Sequence, residues 1–143
     1  MIMCNKERVD KMKLNPDCVR SVLLYLEENQ LMDDKGLINP IYSSKLPDKL
    51  TKYKNSDVLY SIKQLDEYGY IETRQFDTVN YSSAILDITP YGHEFLKNIH
   101  NDTTWNKTKE IAQQVGSTSL NTLANIASSV VASLITAAIQ SQL

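Results

Sequence analysis

Asn55 to Ile71 reads N-S-D-V-L-Y-S-I-K-Q-L-D-E-Y-G-Y-I, and this stretch decides the fold. Val58, Leu59, Ile62, Leu65 and Tyr68 recur at three- and four-residue spacing behind a Ser56/Asp57 start signal, the pattern of a capped amphipathic helix. Gly69 ends it. Tyr70 and Ile71 open an extended segment, Ala84 to Ile88 forms a second, and T-P-Y-G-H-E-F-L from Thr89 restarts a helix. Helix, glycine stop, hairpin, helix is the back half of a winged helix. The expected fold class is therefore mainly α with a small β-hairpin, a winged-helix-like domain followed by an uncharged helical tail.

Upstream, Asn15-Pro16-Asp17 offers a cap, a first-turn proline and an acid ahead of a stripe of Val19, Val22, Leu23 and Leu26, which predicts a core helix. Asp33-Asp34-Lys35-Gly36 is a turn signal, and Leu37 to Tyr42 is where a short first strand fits. Leu46 to Tyr53 predicts a brief helix with Leu46, Leu50 and Tyr53 on its apolar face. Downstream, Phe95 and Leu96 are expected to face the core, and Gly92 inside that helix implies close packing against a neighbour, since glycine there costs about 1 kcal/mol relative to alanine. Asn101 to Thr104 breaks one helix and caps the next, which runs from Trp105 to a stop near Gly116.

The chain has 143 residues, enough for one domain with an appendage. Its 15 basic and 17 acidic residues exclude a general electrostatic attraction to nucleic acid or anionic membrane, so any such binding needs a local patch. Cys4 and Cys18 are too few for a disulfide framework and no Cys/His cluster has zinc-ligand spacing. With no apolar secretion signal at the N-terminus, the expected location is a bacterial cytoplasm, and the sequons at Asn80, Asn101 and Asn106 are incidental. Residues 1–11 are polar and precede Met12, and Lys6-Glu7-Arg8 back-translates into purine-rich codons resembling a ribosome-binding site. We expect a natural start at Met12; the intact mass of protein made from its native gene decides it. The expected division is a leader at 1–11, a winged-helix-like domain at 12–100 and a helical interaction segment at 101–143.

Past Glu110 no residue is charged. Leu120, Leu123, Ala127, Val130, Leu134 and Ala137 form a heptad-like seam, Ile126, Val131, Ile135 and Ile139 put aliphatic groups on other faces, and Ala124, Ser128, Ala132 and Thr136 make a row of small residues. A helix apolar on several faces needs cover. It can pack on its own domain, on copies of itself, or in a membrane. The seam favours copies of itself, while Asn121, Thr122, Asn125, Ser128, Ser129 and Ser133 interrupt the roughly 20 apolar residues of a membrane span.

Three stretches carry a resemblance. M-K-L-N-P-D-C-V-R from Met12, D-I-T-P-Y-G-H-E-F-L-K-N-I from Asp87 and N-D-T-T-W-N-K-T-K from Asn101 resemble small phage and prophage proteins catalogued as domain of unknown function 2513. The likeness runs from Met12 nearly to the C-terminus, including the Gly-Ser-x-Ser-Leu entry to the tail. It implies a mobile-element origin and a winged-helix-like body, and carries no catalytic residues to transfer.

Two functional classes compete. A winged helix reading duplex DNA would hold phosphates with Lys45, Lys49, Lys52, Lys54 and Arg74 and read base edges with Lys63 and Gln64. Yet the recognition helix sets Asp57, Asp66 and Glu67 against Lys63 alone, which opposes binding driven by phosphate neutralisation, and a lysine run is more often a solvated face. The other class is an oligomeric protein-interaction module whose tail assembles copies of the chain or grips a host or phage protein. The acidic helix and uncharged tail favour it, with membrane association through the tail as a further alternative. An enzyme has least support. His93 and His100 are seven residues apart rather than four, and no nucleophile elbow, phosphate-cradling loop or paired-carboxylate motif occurs. No cofactor or metal is expected. Of eight tyrosines, Tyr53, Tyr68 and Tyr70 fit the core, whereas Tyr60 and Tyr81 look exposed enough to stack on a base or anchor a partner.

Overall fold

The computed structural model describes residues 13–29, 31–77 and 82–142. The expected leader, Cys4 and Tyr81 lie outside them. Helix α1 spans Pro16–Glu28 and starts as anticipated: the Asn15 side chain accepts the Cys18 N–H at 3.2 Å, Pro16 needs no donor, and Asp17 sits in the positive first turn. Its stripe of Cys18, Val19, Val22, Leu23 and Leu26 is buried. A tight turn follows. The Asp33 carboxylate accepts the N–H groups of Lys35 and Leu37, both at 2.9 Å, Gly36 takes φ +81°, and Met32 bridges Ile38.

Strand β1, Ile41–Tyr42, runs into a 3₁₀ turn at Ser43–Lys45 and the single-turn helix α2, Leu46–Lys49. The sequence predicted a helix reaching Tyr53. It stops four residues earlier because the Tyr53 hydroxyl is held by α1, 2.9 Å from Ser21 Oγ and 3.3 Å from the Asp17 carbonyl, which pulls the chain off the helical path.

Helix α3, Asn55–Glu67, buries Val58, Ser61, Ile62 and Leu65. Three expectations fail here, one of them the exposure of Tyr60. The N-cap is Lys54, which makes no side-chain cap bond, so Ser56 and Asp57 belong to the first turn. Tyr68 is the C-cap and 48% exposed, because it lies beyond the last turn that faces the core; Tyr53, Tyr60 and Tyr70 are half-buried. Gly69, at φ +77°, reverses the chain, and Tyr70 returns its N–H to the Leu65 carbonyl at 2.8 Å.

Strands β2, Ile71–Asp77, and β3, Ser82–Ile88, form the expected hairpin. The antiparallel sheet has the order β1-β3-β2, so the first strand pairs with the last. Helix α4, Pro90–Ile99, is capped by Thr89, whose hydroxyl accepts the Gly92 N–H and donates to the Gly69 carbonyl. Phe95 and Leu96 face inward as anticipated. A β-carbon on Gly92 would stand 2.0 Å from the Tyr70 carbonyl oxygen and 2.7 Å from Ile88 Cγ2, which accounts for a glycine inside this helix.

Helix α5, Asp102–Val115, is capped by Asn101 and ended by Gly116 at φ +80°; α6, Leu120–Ser141, is capped by Ser119. The architecture is mainly α with a small antiparallel sheet. Its core does not stop at residue 100: Trp105, Ala112, Leu120, Leu123 and Ala127 join the cluster built by α1, α3 and the sheet.

Candidate interaction surfaces

The lysines and arginine assigned to DNA sit on consecutive elements rather than on one. Lys45 ends the 3₁₀ turn, Lys49 lies on α2, Lys52 and Lys54 on the link to α3, and Arg74 on β2; all five are exposed. Lys63 and Gln64 are half-buried on α3. Lys63 is ion-paired with Glu67 one turn along, and the Lys52 ammonium lies 5.7 Å from the Tyr53 ring centre. A duplex approaching α3 would therefore meet Asp57, Asp66 and Glu67 with its one lysine already engaged.

Sequence reasoning missed a polar clamp between α1 and α5. The Trp105 indole N–H donates to Asp17 Oδ1 at 2.9 Å, and Lys109 Nζ reaches the same oxygen at 2.9 Å. One turn along α1, Arg20 donates to the carbonyls of Ile99 and His100 and to Asp102 Oδ1 at 2.7–2.9 Å, with its guanidinium 5.9 Å from the Trp105 ring centre. Partial burial pushes the Asp17 carboxyl up, but the hydrogen bonds from Lys109 and Trp105 and the charges of Lys109 and Lys52 outweigh it and hold it below its ordinary value. Asp17 and Arg20 belong to one resemblance-bearing stretch and Asp102, Trp105 and Lys109 to another. The clamp fixes α5 and, through it, the base of α6.

Helix α6 divides in two. Leu120, Leu123 and Ala127 are buried against α4 and α5, so the first half of the seam is occupied by the chain itself. Val130 is half-buried. Leu134 and Ala137 are exposed, and Leu134, Ile135 and Ile139 keep 53%, 55% and 58% of their surface in water. Between α5 and α6 lies an open groove of about 640 Å³, lined by Thr104, Lys107, Ile111, Ile126, Val130 and Leu134 among others. Of all the described helices, α6 alone is long and apolar enough to cross a membrane, with a mean hydropathy of 1.7.

Neither histidine builds a metal site. His100 Nε2 lies 3.4 Å from Glu27 Oε1, His93 is exposed on α4, and among the described residues no three His, Cys, Asp or Glu side chains group to hold a metal. Cys18 is wholly buried, and burial pushes its thiol up, which makes it inert packing.

Residues 13–119 match the family described as "Hypothetical protein (DUF2513)". This chain belongs to that family. The DUF2513 match runs to Ser119, the N-cap of α6, and so includes the Gly-Ser-x-Ser entry to the tail. An uncharacterized protein of Haemophilus influenzae is 37% identical over 99 residues, 68% of this chain and 76% of the relative. No solved structure matches the chain.

Proposed function

We propose that this DUF2513 protein is a winged-helix protein of phage or prophage origin that works without enzymatic activity, as an oligomeric interaction module in the bacterial cytoplasm. The order α1, β1, α2, α3, β2, β3 supports the winged-helix reading, with α3 as the recognition-type helix and the β2–β3 hairpin as the wing. One observation carries the assembly reading. The outer half of α6 holds Leu134, Ile135 and Ile139 more than half exposed on a helix without a charged side chain, while its inner half is anchored in the core. Burying apolar surface yields about 25 cal/mol per Å², and an identical uncharged helix offers a matching surface with no charge to desolvate. Light-scattering mass of the full chain tests this: an oligomer that Leu134→Asp with Ile139→Asp reduces to a monomer supports it, and a wild-type monomer ends it.

Membrane insertion is the second reading, favoured by the length and hydropathy of Leu120–Ser141. It requires Leu120, Leu123 and Ala127 to leave the core, a cost that assembly of the outer half avoids. Flotation of the full chain with liposomes distinguishes the two. Duplex binding has less support, since Lys63 is paired with Glu67 and α3 is net acidic.

A further inference from the structure

Away from α6, a second cavity of about 270 Å³ opens where the end of α1, the turn after it, the base of the hairpin and the start of α4 meet. Leu26, Leu31 and Ile88 are its buried apolar lining, and Met32 and Ile38, both more than half exposed, stand at its mouth. Its acidic lining is Glu27, Glu72 and Asp87, with no lysine or arginine. His93 at the start of α4 also lines it, and Glu27 already faces His100 Nε2 at 3.4 Å, so Glu72 and Asp87 are the carboxylate pair the pocket offers. Glu72 and Asp87 are also direct cross-strand partners in the β2–β3 ladder, a placement of like charges that weakens a sheet. Asp87 Oδ1 accepts the Ile88 N–H at 2.8 Å, so that carboxylate has a local role in the fold as well. A cationic group between the two carboxylates would turn the repulsion into attraction.

We propose that this pocket docks a basic segment of another protein, which seats one apolar side chain against Leu26, Leu31 and Ile88 and lays a lysine or arginine beside Glu72 and Asp87. A volume of about 270 Å³ holds one large side chain. The carboxylates repel phosphate, which rules against nucleic acid or an anionic lipid surface as the occupant. An apolar anchor within a charged rim is the usual anatomy of a protein-docking pocket. The site lies on different elements from the outer half of α6, so it stands or falls independently of self-assembly.

The test is fluorescence anisotropy of the full-length protein with a fluorescein-labelled peptide of alternating lysine and leucine, beside a control with glutamate in place of lysine. The lysine peptide should bind, weaken with added salt, and lose at least ten-fold in affinity to Glu72→Gln with Asp87→Asn; the glutamate peptide should not bind. The same double variant should melt at a higher temperature than wild type, because it removes a like-charge pair. Leu134→Ser with Ile139→Ser should leave peptide binding unchanged. The proposal is overturned if the lysine peptide fails to bind, if its affinity ignores the Glu72/Asp87 substitutions, or if the α6 variant abolishes it.

Discussion

Trp105 and Asp17, 88 residues apart in the chain, meet in a 2.9 Å hydrogen bond that ties α5 to α1. Trp105 is buried, and Lys109 shares the same carboxylate oxygen, so the contact joins packing to charge. Because α5 supports the base of α6, this bond sets the platform from which the exposed tail projects.

Trp105→Phe keeps an aromatic ring but removes both the donor and part of the buried indole volume, and should cost more in urea denaturation than the roughly 1 kcal/mol of the hydrogen bond alone. Asp17→Ala removes the acceptor for both Trp105 and Lys109. In the double variant the two costs should fall short of additive by roughly 0.5–1.5 kcal/mol, since the second change removes a bond already broken. Strict additivity would mean that the bond contributes nothing.

The same carboxylate gives stability a pH dependence of known sign. Asp17 is held below its ordinary value of 3.8 when folded, so its contribution is fully present above that pH and is lost as the pH falls through the lower, folded value. Between about pH 5 and pH 3 the urea midpoint of the wild type should fall more than that of Asp17→Asn. The difference should be small, since Asp17 and Lys109 are both partly exposed and water screens them. Parallel curves for the two proteins would contradict it.

Gly92→Ala should be among the most damaging single changes. Helix propensity alone predicts a gain of about 1 kcal/mol. The added carbon would instead meet the Tyr70 carbonyl oxygen at 2.0 Å, where backbone from another element must move. A thermal melt should show a net loss, and a melting temperature at or above wild type would show that α4 shifts without cost.

Lys49→Glu with Lys52→Glu reverses the densest positive stretch without touching the core, since both side chains are exposed. Light scattering should give an unchanged mass, with a small fall in the melting midpoint because the change at Lys52 removes a cation from the Tyr53 ring and sets a like charge toward Asp17. A change in mass would place α2 and its link to α3 in the assembly surface.

The fold was legible wherever local signals agreed. Asn15-Pro16-Asp17, Thr89-Pro90 and Asn101 marked helix starts, Gly69 and Gly116 marked helix ends, and the awkward Gly92 correctly implied a close approach. What failed depended on distant partners. Tyr53 leaves the helical path because Ser21, 32 residues away, holds its hydroxyl. The Asp17 and Arg20 contacts to α5 follow no local periodicity at all. Similarly, the seam from Leu120 to Ala137 is continuous in sequence, yet only its first half is covered, because that depends on where α4 and α5 lie. The acid-rimmed pocket is assembled from four separate segments and had no signature in any of them.

That division of the seam selects the decisive variants. Leu123 is wholly buried in the chain's own core, so Leu123→Asp would report unfolding rather than assembly. Leu134 and Ile139 are exposed, so aspartate at both spares the fold. The most direct measurement is the light-scattering mass of wild type and of Leu134→Asp with Ile139→Asp across a concentration series, with thermal melts run alongside. Self-assembly through α6 requires an oligomeric wild type and a monomeric variant whose body remains folded. A wild type that stays monomeric throughout, or a variant of unchanged mass, would contradict it.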